Sequence, residues 1–103
     1  MPKQSDVRVF KFGGASVRHA AAIRKVAGII RLFQHEKILV VVSAIGKTTN
    51  ALERVVANFR QGQDYKEALT EIRAHHETVM NDLFARNHPV WGKVVNEFRE
   101  LEN

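Results

Sequence analysis

The chain has 103 residues, of which 45% are hydrophobic and 26% charged, with a formal net charge of +5 and no cysteine. This length fits one small domain, and the composition excludes a disordered tail, a collagen-like chain, a disulfide framework and thiol chemistry. The densest apolar run, Ile38–Val42, is far shorter than the ~20 residues that cross a bilayer, and no secretory signal pattern is recognisable, so we expect a soluble cytoplasmic protein with no membrane partner.

Positive charge is concentrated in the first sixty residues, which carry eleven lysines and arginines against three acids, a net +8. Residues 61–103 carry a net −3. The basic part also holds the glycine-containing loops, which favours a phosphate-bearing small molecule as the ligand. A nucleic-acid-binding domain is a disfavoured alternative, because the chain has neither a run of basic residues nor a base-stacking set of aromatic residues.

The first half of the chain predicts a βαβ unit. Alternating apolar residues over 7–12 predict a strand, and apolar residues at helical spacing predict an amphipathic helix over 18–34. The β-branched run Ile38–Val42 predicts a second strand, parallel to the first and covered on both faces. The fold class expected from this order is α/β.

The second half predicts three helices. A polar loop over residues 43–50 precedes the first of them, which ends near Gly62. Asp64 is the expected N-cap of a long second helix, and Pro89 is expected in the first turn of the last helix. Two strands alone leave the edges and faces of a sheet uncovered. We therefore interpret the chain as the N-terminal part of a larger fold and expect a homo-oligomer or self-association through the exposed sheet.

A lysine and a glycine pair stand where the first strand ends. Gly13 and Gly14 would let the backbone approach a ligand closely, and the helix expected after them would offer unpaired N–H groups. Lys11 would add a positive charge for phosphate oxygens, while Phe12 should point to the opposite face and pack in the core. A tight turn alone also explains the glycines, but a lysine that closes a buried strand is costly unless it is paired.

A second motif, residues 41–50, comprises the end of the second strand and the polar loop of residues 43–50 that follows it. Ligands of open α/β folds bind beyond the carboxyl ends of parallel strands, so both loops are expected to converge on one crevice. The Gly46-Lys47-Thr48 triplet is not a P-loop, because Val41 occupies the position where that motif needs a glycine. The hydroxyl groups of this loop can cap the next helix or hold a polar substrate.

The segment KFGGASV, followed about thirty residues later by VVSAIGKTTN, resembles the aspartokinase branch of the amino acid kinase family. The resemblance covers residues 1–103 and implies an incomplete three-layer, carbamate kinase-like fold: the N-terminal part of a catalytic domain, with no complete second domain. The implied reaction is the ATP-dependent phosphorylation of the L-aspartate side-chain carboxylate to 4-phospho-L-aspartate, the first step of lysine, threonine and methionine biosynthesis.

The resemblance also implies site residues. Lys11 would be the catalytic residue that contacts the ATP phosphates and stabilises the transferring phosphoryl group. The ATP-binding loop would comprise Lys11, Phe12, Gly13, Gly14 and Ser16. The substrate side would comprise Ser43, Gly46 and Thr49. Mg²⁺ would be bound through ATP, with no metal ligand assigned on the chain.

Other family contacts lie beyond these motifs, so the resemblance implies that the 103 residues alone are inactive. The alternative function is a non-catalytic fragment that binds phosphate or nucleotide, or that associates with itself.

The histidines do not predict a metal site. His75 and His76 are adjacent and face different sides of a helix, whereas a helical metal-binding pair needs i, i+4 spacing. His76 lies on the apolar stripe and is expected in the core. The remaining three are expected to be isolated and solvated: His19, His35 and His88.

Overall fold

The computed structural model describes residues 6–102, and the chain divides into two compact units, one ending at Lys47 and the other beginning at Thr48. The first unit contains β1 (Arg8–Phe12), a 3₁₀ turn (Gly14–Val17), α1 (Ala20–Leu32) and β2 (Ile38–Val42). The second contains α2 (Thr48–Arg60), α3 (Lys66–Leu83) and α4 (Val90–Glu102). The element types expected from the sequence are confirmed, except that α2 already begins inside the predicted loop of residues 43–50.

The first unit is the predicted βαβ unit. β1 and β2 pair in parallel, in a register that runs from Arg8 opposite Ile38 to Phe12 opposite Val42. Phe10 packs against Phe33, which follows α1, with 5.0 Å between the ring centroids. The parallel pairing brings the carboxyl ends of both strands to the same edge of the sheet.

Within the described residues Ile38–Val42 is not covered on both faces, as expected of a sheet with two strands alone. Leu39 is 55% exposed and Val41 45% exposed, and Val9 beside them on β1 is 60% exposed. Side chains alternate along a strand, so these three share the face opposite to Phe10. We call Val9, Leu39 and Val41 the open sheet face. The expected self-association through it stays a prediction.

The second unit has its own apolar core, in which α3 and α4 contribute Leu69, Ile72 and Phe98. His76 borders this core: its Nδ1 lies 2.8 Å from the carbonyl oxygen of Ile72, to which the ring donates. The His76 ring also meets Phe98 edge to face at 5.3 Å. His76 is thus half-buried and hydrogen-bonded at the border of the core, so the expectation of a core histidine is met in part.

Polar contacts define the helix boundaries of the second unit. The N-cap of α3 is Tyr65, one residue after the predicted Asp64, whose carboxylate accepts a hydrogen bond from the Lys66 N–H. Pro89 lies one residue before α4 rather than inside its first turn. Arg73 donates hydrogen bonds to Glu77 within α3 and to Glu102 at the end of α4, and both bonds raise the pKa of Arg73.

His19 is more than the isolated, solvated residue expected from the sequence. It is the N-cap of α1, and its Nδ1 accepts a hydrogen bond from the Ala22 N–H at 3.1 Å. A neutral imidazole has one acceptor nitrogen, so this bond and the 3.2 Å contact of Arg18 Nε with Nε2 are alternatives. His88 has a similar role, since its Nδ1 accepts from the Val90 N–H at the start of α4.

The cap predicts that His19→Ala lowers the free energy of unfolding by about 1 kcal/mol, the usual cost of losing a side-chain acceptor at an N-cap. Urea unfolding followed by circular dichroism measures the change. His19→Asn keeps an acceptor and should retain most of the stability, and His35→Ala is a matched control at an exposed position. Equal unfolding midpoints for His19→Ala and His35→Ala would show that the cap does not stabilise α1.

Candidate functional site

The two loops that follow β1 and β2 start side by side. The Ser43 N–H, directly after β2, donates a hydrogen bond to the carbonyl oxygen of Phe12, the last residue of β1, at 2.9 Å. This bond continues the strand pairing by one step beyond the sheet. The expected convergence of the two loops is therefore confirmed within the first unit.

The loops then pack against each other through two glycines. A Cβ atom added to Gly14 would lie 2.5 Å from the carbonyl oxygen of Gly46, closer than real Cβ contacts allow. Gly46 has a φ of +55°, a left-handed conformation that glycine adopts without steric cost. A methyl group at residue 14 is thus incompatible with this arrangement.

Gly13 and Gly14 have different environments, although the sequence suggested one shared role for them. A Cβ added to Gly13 would meet nothing within 4 Å, so the Gly13 backbone is open to a ligand. The space beside the Gly14 backbone, in contrast, is filled by the second loop. Only Gly13 fits the expectation of a bare main chain at which a phosphate group could approach.

The helix start expected directly after the glycines lies further along the chain. Residues Gly14–Val17 form a 3₁₀ turn, in which the Ser16 N–H donates to the carbonyl oxygen of Gly13 at 3.0 Å. Val17 is buried and anchors this turn. Since α1 begins at Ala20 behind the His19 cap, its N-terminus does not adjoin the glycine pair.

Lys11 is exposed, contrary to the expectation of a lysine at the end of a buried strand. It is opposite Val41 in the strand register and shares the open sheet face with it. Within residues 6–102 no carboxylate lies within ion-pair distance of its ammonium group. Because Lys11 is exposed, its charge carries no desolvation cost that a ligand would have to offset. The charge is accessible, and no described carboxylate compensates it.

Phe12 only partly meets its prediction. Its side chain is half-buried and stacks on Phe10, with 6.2 Å between the ring centroids and 11° between the planes. It lies on the face opposite to Lys11, as strand alternation requires. Phe12 thus supports the strand end, and its role in the ATP-binding loop stays a prediction.

The remaining predicted site residues are distributed over both units. Ser16 and Ser43 are exposed in the first unit, where Gly46 is half-buried between the loops. Thr49 is exposed in the first turn of α2, in the second unit. Their contacts with substrate stay predictions.

A family model described as the amino acid kinase family matches residues 6–97. Aspartokinase 1, chloroplastic, from Arabidopsis thaliana is 37% identical over 79 residues, which are 73% of this chain and 14% of that protein. Bifunctional aspartokinase/homoserine dehydrogenase 1, chloroplastic, from Zea mays is 35% identical over 86 residues, 82% of this chain and 9% of that protein. The chain thus spans a small part of the length of these relatives.

Among solved structures, the crystal structure of Clostridium acetobutylicum aspartate kinase is similar, with a TM-score of 0.73 and 23% sequence identity. The similarity covers 95% of this chain and 24% of that one. It shows that the two share a fold over nearly all of the present residues.

Proposed function

The chain belongs to the amino acid kinase family, and from this premise we propose that it supplies the ATP-phosphate side of an aspartate kinase. Its similarity to aspartokinases supports a kinase of amino-acid biosynthesis. The specific reaction proposed is phosphoryl transfer from ATP to the side-chain carboxylate of L-aspartate, which gives 4-phospho-L-aspartate and ADP. The product would enter lysine, threonine and methionine biosynthesis.

The observation that carries this proposal is the meeting of two strand-end loops, the first of which follows a strand that ends with an exposed lysine. Gly14 and Gly46 join the loops, Gly13 leaves main chain uncovered, and Lys11 lies at the end of the adjoining strand. Bare backbone and a nearby positive charge are what a phosphate chain requires. These residues therefore fit ATP, with Phe12 and Ser16 completing the proposed ATP-binding loop.

The proposed chemistry needs little beyond positioning and charge. The aspartate carboxylate is already a nucleophile, so its oxygen can attack the γ-phosphorus without a general base. The bond from the γ-phosphorus to the bridging oxygen breaks, and that oxygen leaves with ADP. Lys11 would neutralise charge on the phosphoryl oxygens, and Mg²⁺ bound through ATP would supply further neutralisation. Ser43, Gly46 and Thr49 would hold the aspartate.

The direct test uses a polypeptide that joins these residues to the remaining length of an aspartokinase relative. We expect ADP release that depends on L-aspartate and an acyl phosphate that hydroxylamine traps as the hydroxamate. L-Glutamate, which is one methylene longer, is the control substrate and should support little turnover. ADP release that L-aspartate does not stimulate would contradict the assignment.

We expect the 103-residue chain alone to bind MgATP weakly or not at all and to show no turnover. The reason is that it covers only 24% of the length of the similar aspartate kinase. Isothermal titration with MgATP and an ADP-release assay measure both properties. Aspartate-dependent ADP release by this chain would refute its inactivity. Tight MgATP binding without turnover would favour the alternative, a non-catalytic nucleotide-binding fragment, for which the open backbone at Gly13 is the supporting observation.

The cellular compartment and the absence of a nucleic-acid partner also stay predictions. None of the helices within residues 6–102 combines the length and apolar composition required to cross a lipid bilayer. The plant relatives are named as chloroplastic proteins. A cytoplasmic location for the present chain is proposed from its composition alone.

A further inference from the structure

One face of α2 is apolar and exposed, while another face of the same helix packs in the core of the second unit. Ala51 and Val55 pack against that core. Leu52, Val56 and Phe59 are 36%, 55% and 66% exposed. Spacings of four and three residues place these three on one side of the helix. We call them, with the flanking Glu53 and Arg60, the α2 stripe.

The two edges of the α2 stripe differ in chemistry. At 100° per residue, Glu53 and Arg60 lie along one edge, whereas Leu52 and Phe59 lie along the other, with Val56 between them. Glu53 and Arg60 are seven residues apart, about 10 Å along the helix, which is too far for a mutual ion pair. Neither forms an ion pair with another residue of the described range 6–102.

The Phe59 ring is held in place although it is exposed. It meets Tyr65 edge to face, with 5.5 Å between the ring centroids and 76° between the planes. A side chain that is already oriented loses less conformational freedom when a partner covers it. Phe59 is therefore suited to be the apolar anchor of a contact.

We propose that the α2 stripe binds the α2 stripe of a second copy of this chain, with the two helices antiparallel about a two-fold axis. Such an axis brings the charged edges of the two copies together on one side of the contact and the apolar edges together on the other. Along each edge, the residue order of the second copy runs in the opposite direction. Glu53 then faces Arg60 of the second copy, and Arg60 faces Glu53 of the second copy. On the other edge, Phe59 faces Leu52 in both directions, and the two Val56 side chains meet at the centre.

Charge decides both the orientation and the choice of surface. A parallel pairing about a two-fold axis would place the two charged edges on opposite sides of the contact, so Glu53 and Arg60 would face the apolar edge of the second copy and gain no partner of opposite charge. The open sheet face, the other apolar surface described above, has Lys11 as its neighbouring charge on the strands and no carboxylate there to complement it. A second copy therefore fits the α2 stripe better. A contact of one helix pair is small, so we expect a dissociation constant on the order of 0.1 mM.

Sedimentation equilibrium of the 103-residue chain, over concentrations on both sides of that value, tests the proposal. Glu53→Arg alone and Arg60→Glu alone each oppose like charges and should weaken association about tenfold. An equimolar mixture of the two variants should form heterodimers, since one carries two arginines on its edge and the other two glutamates. The double variant Glu53→Arg/Arg60→Glu should associate like the unmodified chain.

Apolar substitutions supply an independent arm. Phe59→Ala should weaken association about tenfold, as expected for a central aromatic anchor. Leu32→Ala, at an exposed position in α1 that is not part of the α2 stripe, is the matched control and should leave the association unchanged. Circular dichroism confirms that each variant is folded.

Three results would overturn the proposal. The first is a monomer at every concentration. The second is equal association of both single charge variants and the unmodified chain. The third is association that Val9→Thr on the open sheet face abolishes while the charge variants do not, which would instead identify the sheet as the interface.

Discussion

Replacing Lys11 with alanine is expected to lower kcat for aspartate phosphorylation by roughly 10²–10³, the scale of losing one donor that stabilises a transition state. Lys11 is exposed near the end of β1, the strand that leads into the first loop, and no described carboxylate neutralises its ammonium group. Its full charge is therefore available to the phosphoryl oxygens. Steady-state kinetics at saturating MgATP, in the polypeptide extended to the length of an aspartokinase relative, measure the effect.

Lys37→Ala is the matched control for this prediction. Lys37 is an exposed lysine directly before β2, at the opposite end of the sheet from the loops. Its removal changes the net charge equally and should leave kcat unchanged. A loss of less than about threefold for Lys11→Ala, or an equal loss for both variants, would remove Lys11 from the mechanism.

Gly14→Ala is expected to lower the free energy of unfolding by about 2 kcal/mol, within the usual cost of forcing an extra methyl group into a packed site. The new Cβ would lie 2.5 Å from a backbone oxygen of Gly46. A backbone atom cannot rotate away as the end of a flexible side chain can, so one loop must shift. Urea unfolding of the 103-residue chain measures the loss.

Gly13→Ala separates packing from ligand binding at the neighbouring position. The Gly13 backbone is extended, with φ −78° and ψ 178°, and a Cβ there meets nothing within 4 Å. The free energy of unfolding of the Gly13→Ala variant should change by less than about 0.5 kcal/mol. The same substitution in the polypeptide extended to the length of an aspartokinase relative should raise the KM for ATP. Equal stability of Gly13→Ala and Gly14→Ala would contradict the packing of the two loops.

Periodicity in the sequence predicts much of this fold. Alternation over residues 7–12, the β-branched letters of Ile38–Val42 and the helical stripes each report a local preference, and the structure follows them. The convergence of the two loops was also predictable, because parallel strands end at the same edge of a sheet. The motif residues around Gly13 and Gly46 could therefore be assigned to one place without coordinates.

Other features depend on geometry that a one-dimensional pattern does not contain. The apolar letters of Ile38–Val42 report a tendency to be buried, but not which elements do the burying, so the open sheet face is predicted by the number of strands and not by these letters. The cap formed by His19 depends on an extended backbone before α1 (φ −156°) that turns the imidazole towards Ala22. Gly13 and Gly14 differ because only Gly14 contacts Gly46, some thirty residues further along the chain. The letters of the glycine pair do not contain this contact.

That contact has a consequence for how this region can change over time. Because the carbonyl oxygen of Gly46 occupies the space where residue 14 would carry a methyl group, a side chain at residue 14 is tolerable only if the second loop retreats, whereas residue 46 is restricted by its own φ of +55°. A side chain at residue 14 is therefore expected to be inherited only together with a compensating change in the second loop. The absence of a side chain at Gly14 is what allows the second loop to lie where it does.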